Sequence, residues 1–212
     1  MNNFFAAVSH RWPAGRRDYH WHILPPRHAA DALVEPYLPL TGGVGLARVR
    51  PEWIHVTVLH SAPVVDLDRA VLERIVDRAR AECAHIPVFD LTLDRPDLGP
   101  VAVECPGRPG GPARRLWQLL ADITTAETDG QYTTRPEVYY PHASIAYATA
   151  DGIDSRSMAV WLSDCDAQPV TFRVDRVSLV AQSHDGQHIT WSPVLDVNLA
   201  PASVDEPSAE SR

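Results

Sequence analysis

The chain has 212 residues, a formal net charge of −8 and 45% hydrophobic residues. Its length allows a sizeable core, and its charge argues against a protein that coats duplex nucleic acid by charge alone. Three widely spaced cysteines, Cys83, Cys105 and Cys165, indicate neither a disulfide framework nor a zinc site, and no apolar run approaches the roughly 20 residues of a membrane span. We therefore expect a cytoplasmic monomer with no membrane contact and no duplex DNA partner.

Strand and helix patterns alternate along the chain, with proline or glycine at most boundaries. The clearest helical pattern follows Asp66, which can cap the helix, and Leu67, Val71, Ile75 and Ala79 recur in it every fourth residue. Asp154 can cap the last predicted helix in the same way. The predicted elements are strands over 18–24, 44–49, 53–60, 88–93, 101–105, 137–148, 170–181 and 188–197, and helices over 27–34, 66–79, 112–125 and 154–165.

Two halves of similar make-up lie on either side of the Gly- and Pro-rich segment 106–112, which is predicted to be a connecting loop. Each half contains strands and at least one amphipathic helix, which predicts a diverged internal repeat within the α+β class. We expect one domain over residues 1–199, with interleaved lobes. The tail, 200–212, mixes acidic residues with Pro, Ser and Ala and is predicted to be disordered.

Two stretches share the form His-x-(Thr/Ser)-x-apolar within runs of β-forming residues. The first contains His55 and Thr57, and the second contains His142 and Ser144. Because side chains alternate along a strand, each stretch presents an imidazole and a hydroxyl on one face and its apolar neighbours on the other. The sequence therefore predicts a cleft in which two histidines and two hydroxyls face one another.

A third copy, His188-Ile189-Thr190, shows that the motif alone is weak evidence in a chain with 10 histidines. This copy follows a turn and has no counterpart at the equivalent place in the other half. We interpret His188 as an ordinary strand histidine with its polar face in water. The functional candidate is the matched pair, His55 and His142.

Two histidines suit phosphoester chemistry because the reaction moves two protons. One imidazole can take a proton from the attacking oxygen while the other gives one to the leaving oxygen near neutral pH. The hydroxyls of Thr57 and Ser144 can donate hydrogen bonds to the non-bridging phosphate oxygens. A zinc site is the rival interpretation, but it would need a third histidine or a carboxylate, and hydroxyls are weak ligands. We therefore expect neither a metal nor another cofactor.

These residues make the chain resemble the 2H phosphoesterase superfamily, which includes the 2′-5′ RNA ligases and cyclic nucleotide phosphodiesterases. The resemblance runs from about Asp18 to Leu199 and includes Pro141 before the second motif and the closing hairpin with Trp191. It implies a bilobal α+β fold in which two antiparallel β-sheets flank a central cleft. It also implies helices on the outer faces and a pseudo-two-fold internal repeat.

The resemblance further implies the roles of the motif residues. His55 and His142 would be the catalytic pair, and Thr57 and Ser144 would bind the substrate phosphate. In opening a cyclic phosphate to a 2′-phosphate, the second histidine would act as base and the first as acid. Two positions depart from the family pattern, since Ser144 replaces a threonine and His60 lies where many members have Phe-Leu-Gly.

Other side chains are weaker candidates for substrate contact. His20 and His22 share one face of the first strand, so His22 can touch substrate if that strand borders the cleft; the alternative is a half-exposed edge strand. Aromatic residues near the motifs can stack on a base or fill the core, and arginines can bind phosphate or simply lie exposed. These aromatic residues are Trp53, Tyr139, Tyr140 and Tyr147, and these arginines are Arg48, Arg50 and Arg135.

The leading hypothesis is a metal-independent enzyme that opens a 2′,3′-cyclic phosphate, or makes or breaks a 2′,5′-phosphodiester, on RNA ends or nucleotides. One alternative is hydrolysis of a small nucleotide, such as an ADP-ribose cyclic phosphate or a 2′,5′-oligoadenylate. Another is a non-catalytic module that binds RNA ends or nucleotides. The acidic surface favours small ligands over long RNA.

Overall fold

The computed structural model describes residues 1–132 and 139–201. Within these residues, no helix is both long enough and apolar enough to cross a membrane. The helices are α1 (Phe4–Val8), α2 (Arg27–Val34), α3 (Leu38–Thr41), α4 (Arg69–Cys83), α5 (Gly110–Glu127) and α6 (Ser155–Asp164). The strands are β1 (Asp18–Ile23), β2 (Leu46–Arg48), β3 (Val56–Pro63), β4 (Phe89–Leu93), β5 (Asp97–Leu98), β6 (Ala102–Arg108), β7 (His142–Ala148), β8 (Val170–Val174), β9 (Arg176–His184) and β10 (Ile189–Asn198).

The strands pair antiparallel in the order β10-β9-β1-β3-β7-β6-β4-β8, with β2 alongside β7 and β5 alongside β6. The two motif strands, β3 and β7, therefore meet in the middle of the order. In the described part of the chain, a single ladder pair, Val56 with Ala143, joins them. The predicted antiparallel α+β class is confirmed. The two halves of the strand order are linked at the motif strands into one 10-stranded sheet.

Helix α5 packs against both α4 and β3. The sequence predicts an apolar face of Leu116, Leu119, Leu120 and Ile123; Leu116, Leu120 and Ile123 are almost completely buried, whereas Leu119 is only partly buried. Burial of a side chain of this size stabilises a fold by roughly 2 kcal/mol. The apolar face of α5 thus holds the first motif strand against the core.

Three predicted boundaries near the motifs are wrong. The second motif strand begins at His142 rather than at residue 137, and residues 139–141 before it are not strand. The first motif strand begins at Val56 rather than at residue 53, because Pro51–Trp53 forms a turn of 3₁₀ helix. The predicted loop over 106–112 is strand and helix instead, since β6 runs to Arg108 and α5 begins at Gly110. Only Pro109 separates these two elements.

Two further predictions also need correction. The strand predicted over 170–181 is two strands, because the strand conformation is interrupted at Asp175. The first of them, β8, pairs with β4, and the second, β9, pairs with β1 and β10. The helix predicted to be capped by Asp66 begins later, with Asp68 at the N-cap position. The predicted cap of α6 is confirmed, since the Asp154 carboxylate accepts a hydrogen bond from the Arg156 amide at 2.9 Å.

The segment before β1, residues 1–17, connects the two halves of the sheet, although its sequence has little pattern. The side-chain amide of Asn3 donates to the carbonyl of Thr149, just after β7, at 2.7 Å. At the other end of the segment, Trp12 is buried and its carbonyl accepts a hydrogen bond from Nε2 of His184 on β9 at 2.8 Å. The segment therefore runs from the end of β7, the second motif strand, to β9, which lies on the side of the first motif strand.

Candidate active site

The motif histidines lie at the start of the two central strands. His55 directly precedes β3, and His142 is the first residue of β7. Extending the antiparallel register by one residue on each side of the ladder pair that joins these strands sets Thr57 opposite His142 and Ser144 opposite His55. Each imidazole therefore lies across from the hydroxyl-bearing residue of the other motif.

All four motif residues line one cavity of about 530 Å³. This volume falls within the roughly 300–1,000 Å³ of small-molecule sites. The structure thus brings together the residues that the sequence pairs. The rest of the lining comes from Phe4, Val8, Arg11, Trp12, His20, Val58, Leu59, His60, Glu104, Trp117, Tyr139, Tyr140, Tyr147, Gln182 and Ile189.

The two imidazoles are held in the same way. Nδ1 of His55 lies 2.8 Å from the carbonyl oxygen of Trp53, and Nδ1 of His142 lies 3.2 Å from that of Tyr140. A carbonyl can only accept, so Nδ1 carries the hydrogen in both rings. Nε2 therefore remains in each ring as the nitrogen that can exchange a proton with a ligand in the cavity.

The environment of His55 favours its neutral form. Burial lowers its pKa to about 4, against the opposing effect of the Trp53 carbonyl and with a further lowering by charge on His142. In the ligand-free protein at neutral pH, His55 therefore presents an unprotonated Nε2.

His22 does not occupy the position that the sequence predicts for it. It has no exposed surface and does not line the cavity, because β1 lies between β3 and β9 rather than at a sheet edge. Its ring stacks on that of His55, with centroids 4.2 Å apart. The prediction that His22 contacts substrate is therefore wrong, as is the alternative of a half-exposed edge strand.

Burial keeps the histidines of β1 uncharged. Desolvation holds the pKa of both His20 and His22 well below the usual value, and positive charge on neighbouring imidazoles acts in the same direction. Of the two, only His20 reaches the cavity wall. Although several imidazoles cluster here, no group of three His, Cys, Asp or Glu side chains within 1–132 and 139–201 is arranged to hold a metal ion.

A register shift in β3 turns His60 into the cavity. His22 pairs with Thr57 but Trp21 pairs with Leu59, so Val58 is an extra residue, as in a β-bulge. Simple alternation would place His60 on the opposite face from Thr57. The bulge instead puts both on the same side, which explains why His60 adds a further imidazole to the cavity.

His60 is paired with a buried carboxylate. Its Nε2 lies 2.8 Å from Oδ2 of Asp18, a residue with no exposed surface. Arg16 donates two further hydrogen bonds to the same carboxylate, at 2.7 and 2.8 Å. Burial alone would raise the pKa of Asp18, but the hydrogen bonds from His60 and Arg16 outweigh it and the pKa is lowered. Asp18 is therefore an anion that orients His60.

At the second motif, Tyr140 is half-exposed in the cavity, as a substrate-contacting residue must be. Its ring centroid lies 4.8 Å from that of His142, and its hydroxyl donates to a carboxylate oxygen of Glu104 at 3.2 Å. Glu104 is also the residue directly opposite Ser144 in the antiparallel register of β6 and β7. A carboxylate and an aromatic ring thus lie beside the second motif.

The neighbouring Tyr139 has a structural role in addition to lining the cavity. Its ring stacks on Trp117 of α5 with a centroid separation of 5.3 Å, and its hydroxyl donates to the carbonyl of Thr57 at 3.2 Å. Tyr147 is buried, which raises the pKa of its hydroxyl to about 12, while a hydrogen bond with Ser144 lowers it slightly. Tyr139 therefore fixes the backbone of the first motif, and Tyr147 lies beside the hydroxyl of the second.

Other weak candidates lie away from this cavity. Arg48 hydrogen-bonds to Thr41 and Arg50 forms an ion pair with Glu52, so both guanidinium groups are occupied. Trp53 packs against a tryptophan of β10 and does not line the cavity.

Two further sequence candidates do not contribute to the described cavity. Arg135, proposed to contact substrate, lies outside the described residues. His188 is exposed and lies outside the cavity, as its interpretation as a solvent-facing histidine predicts, but it precedes β10 rather than lying within the strand.

Sequence reasoning missed Asp18, Glu104 and Trp117. A signal existed for Glu104, because it interrupts the apolar run Val101-Ala102-Val103. For the other two, the sequence carries no comparable signal, since an aspartate at a strand start and a tryptophan on an amphipathic helix are ordinary features. The contacts of Asp18 with His60 and of Trp117 with Tyr139 form only in the folded chain.

The chain is similar to known proteins in both sequence and structure. The model of the family described as the 2′-5′ RNA ligase superfamily matches residues 25–186. No curated protein sequence matches significantly.

Similar solved structures have the same fold at low sequence identity. LigT of Escherichia coli, in a complex with 3′-AMP, is 13% identical with a TM-score of 0.65, and the match covers 87% of this chain and 98% of LigT. The protein TT0787 of Thermus thermophilus is 16% identical with a TM-score of 0.67, over the same shares of the two chains. At these identities the likeness establishes the fold.

Proposed function

Because the chain belongs to the 2′-5′ RNA ligase superfamily of 2H phosphoesterases, we propose that it is a metal-independent enzyme acting on RNA ends or nucleotides. Its reaction opens a 2′,3′-cyclic phosphate, or makes or breaks a 2′,5′-phosphodiester, by two-histidine acid/base catalysis. The observation that carries the proposal is that His55 and His142 line one cavity with the same ring nitrogen available, each opposite a hydroxyl of the other motif.

In the hydrolytic direction, water attacks phosphorus and the bond from phosphorus to one ribose oxygen breaks. Nε2 of His142 takes the proton of the attacking water, and Nε2 of His55 gives a proton to the leaving ribose oxygen. Thr57 and Ser144 donate hydrogen bonds to the non-bridging oxygens, where negative charge concentrates in the transition state. After product release, proton exchange with solvent restores both rings.

The acid role of His55 requires that it gains a proton when substrate binds. In the ligand-free protein its lowered pKa keeps it neutral. A phosphate anion against Nε2 favours the imidazolium and raises that pKa, since an opposite charge within about 4–6 Å stabilises the charged form. Substrate binding thereby prepares the acid, and the ligand-free enzyme carries no buried charge at this position.

The size and charge of the site favour a nucleotide or the end of an RNA chain as substrate. The cavity of about 530 Å³ matches a small ligand. The formal net charge of −8 disfavours extended contact with a polyanion. LigT of E. coli, which shares the fold, binds 3′-AMP in its crystal structure. These observations support a short substrate whose reacting phosphate lies between the motifs.

The test is a panel of nucleoside 2′,3′-cyclic phosphates, 2′,5′-linked dinucleotides and an RNA oligomer ending in a cyclic phosphate. We expect turnover of at least one class, unchanged by EDTA, and a loss of about 10²–10⁴-fold in His55→Ala and His142→Ala. His188→Ala is the matched control, because it alters the third motif copy outside the cavity, and it should keep wild-type turnover. Binding without turnover across the panel would instead indicate a non-catalytic module.

A further inference from the structure

We propose that the cavity contains a second anion subsite, beside Trp12, in which Arg11 and His60 bind a phosphate group other than the one held by the motifs. The ligand class is a nucleotide with two separate phosphate groups. The inference rests on the proposed function for the identity of the reacting phosphate. It differs from that function in assigning a binding role to residues outside both motifs.

Arg11 is the permanently cationic side chain of the cavity. Among the described lining residues it is the sole arginine or lysine. Its side chain is exposed, and within 1–132 and 139–201 its guanidinium forms no ion pair. A free guanidinium presents several donors in a planar fork that matches phosphate oxygens. In a chain of net charge −8, an unpaired cation at the mouth of a cavity indicates an anionic ligand.

His60 provides a second donor that is already oriented. Its Nε2 is held by the buried carboxylate of Asp18, which fixes the plane of the ring. Its ring also stacks on that of His20, with centroids 4.1 Å apart. Within the described residues Nδ1 makes no hydrogen bond, so it is available to a ligand. A carboxylate can only accept, so Nε2 donates to Asp18 and Nδ1 remains for a hydrogen bond with the phosphate group.

Trp12 connects these two residues. It follows Arg11 in the chain and is buried, and its ring centroid lies 6.0 Å from that of His60. Along β3, His60 is three residues beyond Thr57, which corresponds to roughly 10 Å of strand. The subsite is thus separate from the reacting phosphate but lies within the reach of one nucleotide.

Charge fixes the direction in which the substrate extends. Glu104 lines the cavity beside the second motif, where it pairs with Ser144 and accepts from Tyr140. A second phosphate at that end would lie against a carboxylate. At the other end it meets Arg11 and a histidine whose carboxylate partner is already neutralised by Arg16. The additional phosphate therefore binds beside Arg11 and His60.

The experiment compares adenosine 2′,3′-cyclic phosphate with its 5′-phosphorylated form as substrates. We expect the wild type to have a KM about tenfold lower for the 5′-phosphorylated substrate, as a charge-assisted contact provides. Arg11→Gln should make the KM values of the two substrates nearly equal. His60→Gln should make the difference between them smaller than in the wild type. Arg17→Gln is the matched control, since Arg17 lies on the same segment, binds Ser192 and does not line the cavity. It should keep the wild-type ratio.

A calorimetric measurement separates this inference from the proposed reaction. Adenosine 2′,5′-bisphosphate and adenosine 2′-phosphate are compared for binding to the wild type and Arg11→Gln, without any turnover. A preference for the bisphosphate that Arg11→Gln abolishes supports the subsite, even if no substrate reacts. Turnover with no preference in the wild type, or a preference that Arg11→Gln retains, overturns the subsite and leaves the proposed reaction intact.

Discussion

The ring of His22 lies against the ring of His55, with centroids 4.2 Å apart and planes inclined by only 16°. Neither ring nitrogen of His22 has a hydrogen-bond partner among the described residues. A buried polar group without a hydrogen bond lowers the stability of a fold by about 1–3 kcal/mol, so a phenylalanine would fill this space without that cost. His22 thus supports His55 by stacking, and any proton on His22 would bring positive charge against His55.

Replacement of His22 should make the protein less sensitive to acid. His20, His22 and His55 have pKa values lowered from 6.5, so the unfolded state binds more protons than the native state below that pH. These three histidines therefore do not reduce the free energy of unfolding above about pH 6.5. Below that pH, protonation of the unfolded state lowers the free energy of unfolding progressively, until the pH reaches the native pKa values. His22→Phe keeps the stack and removes one of these groups.

We expect the free energy of unfolding of His22→Phe to fall less than that of the wild type between pH 7 and pH 5, by about 2 kcal/mol. Urea unfolding at the two pH values measures the difference. His28→Phe, at an exposed position of α2, is the matched control for replacing a histidine by a phenyl ring. Equal losses in His22→Phe and the wild type would show that His22 is already protonated at pH 5 in the native state.

The pKa of His55 should rise when a phosphate ligand occupies the cavity. The ligand-free value of about 4 results mainly from burial, and an anion at Nε2 counteracts that effect. A titration followed by NMR of the imidazole protons, with and without adenosine 2′-phosphate, measures the change. His142→Ala should also raise the pKa of His55, because charge on His142 lowers it. If the ligand leaves the pKa of His55 unchanged, the phosphate does not bind next to His55.

The motif hydroxyls should contribute to the rate with little effect on the fold. Thr57→Val and Ser144→Ala each remove one donor to the non-bridging oxygens, and we expect kcat to fall about 10²–10³-fold. Thr190→Val makes the same change in the third motif copy, outside the cavity, and should leave kcat unaltered. Circular dichroism at a single temperature checks the fold. A drop in Thr190→Val as large as that in Thr57→Val would mean that the effect is not specific to the cavity.

The part of the site that depends on local sequence was predictable. Alternation along a strand relates His55 to Thr57 and His142 to Ser144, and the similarity of the two motifs pairs them. The structure places all four on one cavity. Helical spacing likewise predicted the buried face of α5. These features need only neighbours in the chain, whose relation the backbone geometry determines.

Features that depend on distant contacts were not predictable. The one-residue bulge at Val58 brings His60 into the cavity, and no residue in that apolar run marks it. His22 is buried because β9 covers the outer side of β1, a pairing that joins residues far apart in the chain. The N-terminal segment lines the cavity because Asn3 and Trp12 bind opposite halves of the sheet. Each depends on topology that no local pattern records.

A double-mutant cycle of His55→Ala and His142→Ala tests most directly whether the two histidines act on one phosphate. Turnover of the preferred cyclic phosphate is measured for the wild type, both single variants and the double variant. Residues that act as a unit are strongly non-additive, so the double variant should be no slower than the slower single variant. Wild-type turnover in either single variant, or losses that multiply in the double variant, would contradict a shared phosphate between His55 and His142.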